Sequence, residues 1–169
     1  MKPAALIHSI YIAQAAGSPM QQMIQAVLRA GHGVQGDRYA HGIGTFSNTT
    51  PPKIRHITLI TQTGIALANH LLEGNLNPQF TEAQTRRNII ISEISPQELN
   101  DLIGKVFYLG GLALKGIELC APCERPAKLL KKINFISSFE GYGGIRAAVL
   151  DSGQIAPGDA LTLFHNGKS

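Results

Sequence analysis

At 169 residues the chain has the size of one ordinary domain, large enough to bury a core without disulfide or metal staples, and a single domain over 1–169 is expected. Apolar residues at 44% and charged residues at 15% exclude a disordered chain, and no apolar run approaches the ~20 residues that span a bilayer, which argues against membrane insertion. The net charge of +4 draws on Arg125, Lys128, Lys131 and Lys132, a run without interleaved aromatics that suits a solvated helix face or a small anion better than nucleic acid.

The first residues, M-K-P-A-A-L-I-H-S-I-Y-I-A-Q-A-A, imitate a signal peptide, but His8 and Ser9 interrupt the apolar run. Leu6, His8, Ile10 and Ile12 alternate with Ile7, Ser9 and Tyr11, and a first strand is the preferred reading. Met20, Met23, Ile24, Val27 and Leu28 fall at helical spacing, although Gln25 to Leu28 also permits a strand. The glycine-rich Gly31 to Tyr39 is neither a dinucleotide fingerprint nor a Walker loop.

Ile57 to Thr61 reads as a strand, and Gln62 to Leu72 as a helix with its stripe at Ile65, Leu67, Ala68, Leu71 and Leu72, stopped by Gly74. Arg87 to Ser92 is β-branched and strand-like, and Pro96 to Leu102 suits a short helix. Lys105 to Leu109 and Leu112 to Leu119 form two strands turning at Gly110-Gly111, and Ala147 to Leu150 and Ala160 to Phe164 complete the set. Closely spaced strands outnumber helices, so the expected class is a β-rich α+β domain, a closed or nearly closed barrel with a few peripheral helices.

Both cysteines lie in L-C-A-P-C-E-R-P, between the strand ending at Leu119 and a helical stretch from about Glu124 to Ile133. Two cysteines cannot build a disulfide framework, and a C-x-x-C pair points to chemistry or metal binding in a reducing compartment, hence the cytoplasm. Cys123 falls at the helix start, where unpaired N–H groups and Arg125 lower a thiol pKa, so it is the candidate nucleophile or metal ligand. The bland alternative is a pair of small buried hydrophobes. Thioredoxin chemistry shares the strand, C-x-P-C and helix signature but needs a long α/β remainder that is missing after Cys123. Structural zinc would need further ligands such as His32 and His41, without a recognisable spacing.

Taken in order, I-H-S-I-Y-I-A (7–13), G-V-Q-G-D-R-Y (33–39), I-R-H-I-T-L-I (54–60), T-R-R-N-I-I-I (85–91), L-N-D-L-I-G-K-V-F (99–107), L-C-A-P-C (119–123), G-G-I-R-A-A-V-L (143–150) and G-Q-I-A-P-G-D (153–159) form one pattern. It resembles the MOSC domain, the C-terminal module of molybdenum cofactor sulfurases, over nearly the whole chain. The resemblance implies a β-barrel-like fold and an extended Gln25 to Leu28. It also implies a reactive cysteine, matched by Cys123, that ligates the molybdenum of the pterin cofactor or carries sulfur, with Cys120 as a companion that resolves a persulfide or simply packs.

A pterin that ends in a phosphate needs fixed donors. Arg86 and Asn88 are two apart and on a strand face the same side, with Arg87 as the alternate. Asp37, Arg38 and Arg146 are matched positions for the mouth of the same pocket, although Asp37 can equally cap its loop or pair with Arg38. Glu118 is a weak acid/base candidate. The leading expectation is a molybdenum-cofactor protein that reduces small N-hydroxylated substrates with electrons from a partner protein. The alternatives are a sulfur carrier holding a persulfide on Cys123, supplied by a cysteine desulfurase, and a binding module without chemistry. No pyridoxal phosphate chemistry is expected within this chain, and a homodimer is one way to close an open pocket.

Overall fold

The computed structural model describes residues 4–40, 54–71, 81–120 and 143–164. The alternating start of the chain becomes β1 (Leu6–Ile12), but its alternation is broken by a bulge between Ile7 and Ser9. The extra residue changes the phase, so Ile7, Ile10 and Ile12 enter one core while Tyr11 enters another. Next come β2 (Gln21–Met23), β3 (Ala26–Arg29) and β4 (Gly33–Val34), all extended. The helical spacing of Met20 to Leu28 is overridden by pairing: Ala26, Val27 and Leu28 align with β10 (Gly153–Ile155), which leaves Ile24 88% exposed.

The strand β5 (Ile57–Thr61) runs directly into α1 (Gln62–Leu71), and a 3-10 turn (Ala83–Thr85) leads into β6 (Ile89–Ser92). β5 and β6 are parallel neighbours, a pairing that needs a crossover such as the one containing α1. α1 places Ile65 and Ala68 on Tyr11, Ile60 and Ile90, whereas Leu67 is partly exposed rather than part of the stripe. Ile89, Ile90 and Ile91 are consequently all buried, because both faces of the sheet are covered there. The expected helix stop at Gly74 lies outside the described residues.

The helix α2 (Pro96–Asn100) starts with a capping box, in which the Ser95 hydroxyl accepts from the Glu98 N–H and the Glu98 carboxylate accepts from the Ser95 N–H. β7 (Val106–Leu109) and β8 (Leu112–Leu119) form the expected hairpin, followed by β9 (Ile145–Val149) and β11 (Leu161–Thr162). The main sheet has the order β11-β7-β8-β9-β5-β6-β1-β2. Its β11 edge meets the start of β1: Leu161 N–H donates to Ala5 O at 2.9 Å and Ile7 N–H to Asp159 O at 2.8 Å, with Leu6 bridged to Ala160. The sheet therefore curls into the expected barrel-like form, filled by Leu59, Ile89, Phe107, Leu114, Ile145 and their neighbours. The smaller sheet β10-β3-β4 adds Leu28, Val34 and Ile155 to the same core.

One glycine pair fixes the approach of β9. At Gly144 φ is +89°, and an added Cβ would lie 2.0 Å from the carbonyl oxygen of Leu59 on β5. Gly104 has a similar φ of +82° but open space around it, so it isolates the conformational cost from the steric one. Gly104→Ala should cost about 1 kcal/mol, whereas Gly144→Ala should cost at least ~2 kcal/mol in chemical denaturation, since strain and backbone overlap combine.

Candidate functional site

The end of β8 delivers the chain into the cysteine segment. Leu119 pairs with Ile145, and the Cys120 N–H donates to the Gly144 carbonyl at 2.8 Å. A Cβ on Gly143 would fall 2.3 Å from the Cys120 carbonyl oxygen, so only glycine allows this approach. Cys120 is a free thiol, 3% exposed. Cys123 lies outside the described residues, as do Arg125, Lys128, Lys131 and Lys132.

Arginines gather around this strand end. Arg87 Nε donates to the Gly143 carbonyl at 2.8 Å, directly beside Cys120. Arg146 lies opposite Glu118 in the β8–β9 register and forms an ion pair with it at 2.6 Å. Burial pulls the Arg55 guanidinium down from its usual value and Arg146 pushes it the same way, while Tyr39, Glu118 and Cys120 act in the opposite sense. Arg55 is thus within electrostatic reach of all four. Arg38 extends the group, its guanidinium 4.7 Å from the centroid of the Tyr39 ring.

Four arginines, 38, 55, 87 and 146, gather at this end, and among the described residues Asp37 pairs with Arg38 and Glu118 with Arg146. Asp37 is fully buried: its Oδ1 accepts from the Ala13 N–H at 3.0 Å and from Arg38 at 3.1 Å, and its Oδ2 accepts from the Tyr39 N–H at 3.3 Å. It organises the loop after β4, which is the structural one of its two expected roles. Glu118 orients Arg146 through the ion pair, a different task from the acid/base role considered for it.

The expectation for Arg86 and Asn88 needs correction. It assumed a strand through both, but β6 begins only at Ile89, and Arg86 is left-handed at φ 59°, ψ 26°. The break in strand phase sends the side chains apart. Arg86 donates to the Ser18 carbonyl at 2.8 Å. Asn88 is buried, its Oδ1 accepting from Thr58 N–H at 3.0 Å and Thr58 Oγ1 at 3.2 Å, its Nδ2 donating to the Tyr11 carbonyl at 3.1 Å. Asn88 therefore ties β1, β5 and β6 together. Arg87, the alternate, is the one beside the cysteine strand.

Among the described residues no group of three or more His, Cys, Asp and Glu could hold a metal ion, and His41 lies outside them. Among the described residues no helix is long and apolar enough to cross a membrane. His32 is exposed and contributes through its neighbour His56 instead. Arg55 and Tyr39 belong to the site although the sequence did not single them out. Both sit in blocks of the sequence pattern, I-R-H-I-T-L-I and G-V-Q-G-D-R-Y, which was the available signal.

A family model for the MOSC domain matches residues 51–162. The chain belongs to the MOSC domain family. The solved structure of the YuaD protein from Bacillus subtilis is similar over 94% of both chains, with a TM-score of 0.75 at 19% identity. YiiM from Geobacillus stearothermophilus gives 0.66 at 15% identity, covering 96% of this chain and 76% of that one. YiiM from Escherichia coli gives 0.67 at 12%, covering 99% and 73%. Identities this low establish the MOSC fold alone. No curated protein matches the sequence.

His56, just before β5, carries a testable pH dependence of this MOSC domain. Its Nδ1 accepts from the Val149 N–H at 3.0 Å, which requires the neutral ring, and burial followed by His32 lowers its pKa from 6.5. As pH falls below 6.5 the unfolded chain takes up this proton before the folded one does. Stability is therefore full above that value and declines as pH drops through the window beneath it. His56→Asn keeps an oxygen acceptor without titrating, so its thermal midpoint should fall less steeply than the wild type over the same pH range.

Proposed function

We propose that this MOSC domain binds the molybdenum cofactor, with Cys123 as the molybdenum ligand, and reduces small N-hydroxylated compounds. The carrying observation is the cluster of guanidinium groups around the end of β8, where the chain enters the cysteine segment. A phosphate-bearing pterin suits such a donor set, because guanidinium groups stay charged and offer paired N–H donors to phosphate oxygens. Arg55, Arg87 and Arg146 would hold the anionic part. Cys123 lies three positions beyond Cys120, a reach of at most ~11 Å, so its thiolate has access to the same end of the barrel. A thiolate is also the soft ligand that molybdenum favours.

When bound, the molybdenum centre supplies a metal able to pass two electrons to substrate. The reaction class is cleavage of the N–O bond, in which two electrons from a partner protein and two protons release an amine and water. Glu118 holds Arg146 in place for anion binding, and Asp37 fixes Arg38 and Tyr39 at the edge of the site. The burial of Cys120 weighs against the form of the sulfur-carrier alternative in which that thiol attacks a persulfide on Cys123. We place the protein in the cytoplasm, where thiols stay reduced.

Metal analysis and pterin fluorescence of protein expressed in a cofactor-competent host test this reading. Wild type and Cys120→Ser should carry molybdenum and pterin, and Cys123→Ser should lose the molybdenum. A folded wild-type protein lacking both would overturn the reading. In the cofactor-free protein, iodoacetamide should alkylate Cys123 at least ~10-fold faster than Cys120, because a buried thiol is inert. The reverse order would exchange the roles of the two cysteines.

A further inference from the structure

A second polar cluster lies away from the cysteine strand, on the outer face of β1. The bulge between Ile7 and Ser9 turns both His8 and Ser9 toward the segment before β6. There Glu82 receives three contacts: Ser9 Oγ donates to its Oε1 at 2.7 Å, Tyr11 Oη to the same oxygen at 3.1 Å, and His8 Nε2 lies 3.1 Å from its Oε2. Ser9 and Tyr11 are buried. Burial, and then the Glu82 carboxylate, push the Tyr11 phenol up from 10.0, which keeps its proton available for donation.

Glu82 also begins the turn that presents the arginines. Its carbonyl accepts from the Thr85 hydroxyl at 2.7 Å, the Arg86 N–H closes the turn on the Ala83 carbonyl at 3.2 Å, and Arg86 takes the left-handed conformation. Arg87 then reaches the carbonyls of Thr85 and Gly143. A non-glycine residue persists in that conformation only where its surroundings over-determine it. Glu82 is the side chain that ties the turn to the β1 strand.

We propose that Glu82 is a positioning residue: held by Ser9, Tyr11 and His8, it sets the turn that aims Arg87 at the carbonyl of Gly143 beside Cys120. Its consequence for cofactor binding rests on the functional reading above, whereas its effect on Arg87 does not.

The direct test uses cofactor-free, nitrogen-15-labelled protein and follows solvent exchange of the Arg87 Nε–H, assigned by its disappearance in Arg87→Lys. Glu82→Ala should accelerate that exchange at least ~10-fold while distant backbone amides keep their protection. Glu82→Gln retains an oxygen acceptor for both hydroxyls and should stay within ~2-fold of wild type. If Glu82→Ala fails to fold, the paired change Ser9→Ala with Tyr11→Phe removes the anchor from the β1 side and should produce the same acceleration. A loss of thermal stability with unchanged Arg87 exchange would overturn the proposal and leave Glu82 a purely structural link. In the cofactor-loaded protein, Glu82→Ala should lower pterin content to the level of Arg87→Ala. A wild type without pterin would remove the functional reading and leave the exchange result standing.

Discussion

The arrangement of the site depends on how closely β9 can lie against its two neighbours at the Gly143-Gly144 end. Cβ atoms there would meet the carbonyl oxygens of Cys120 and Leu59 at 2.3 and 2.0 Å, distances no packed side chain adopts. With glycine at both positions, Cys120 bonds to the Gly144 carbonyl and Glu118 comes opposite Arg146. The Gly143 carbonyl is then open to Arg87. The burial of Cys120, the placement of Arg87 and the ion pair at Arg146 thus share one steric origin.

Gathering guanidinium groups at a partly desolvated strand end is unfavourable in itself. Burial, and then Arg146, push the Arg55 guanidinium down from its usual value, but arginine does not escape by losing its proton. Glu118 and Asp37 offset part of this cost through their ion pairs with Arg146 and Arg38. Within this distribution Glu118 serves as an orienting partner, engaged with Arg146 across the β8–β9 pair.

Much of the barrel was legible in the sequence because its strands carry local signals. β5, β7 and β8 follow runs of apolar and β-branched residues with glycine turns, and α2 follows its capping box. What the local signals left open or missed has equally local causes. Helical and extended readings of Met20 to Leu28 were both consistent with the apolar positions; the family pattern favoured an extended Gln25 to Leu28, and pairing with β10, more than a hundred residues away, bears it out. One left-handed residue at Arg86 undid the assumption that Arg86 and Asn88 share a face. The site itself was the least legible part: residues 55, 87, 118 and 146 are brought together by the order β8-β9-β5-β6, and no pattern within one segment encodes a sheet order.

The bulge in β1 and the left-handed turn at Arg86 are two irregularities on adjacent strands, and each makes sense in the light of the other. Without the extra residue, His8 and Ser9 would alternate across the sheet, and Ser9 would not join Tyr11 on Glu82 while Ile7 still reached the core. Without Glu82 fixed, Arg86 would lose one of the restraints that oppose its relaxation into an ordinary conformation, a relaxation worth roughly 1 kcal/mol or more. Glycine at position 86 would remove that strain, but it would also remove the side chain that bonds the Ser18 carbonyl and would loosen the turn before Arg87. An arginine held in a costly backbone conformation is therefore the better solution where the direction of the next side chain has to be fixed, and the hydrogen bonds at Glu82 provide the stabilisation that makes it tenable.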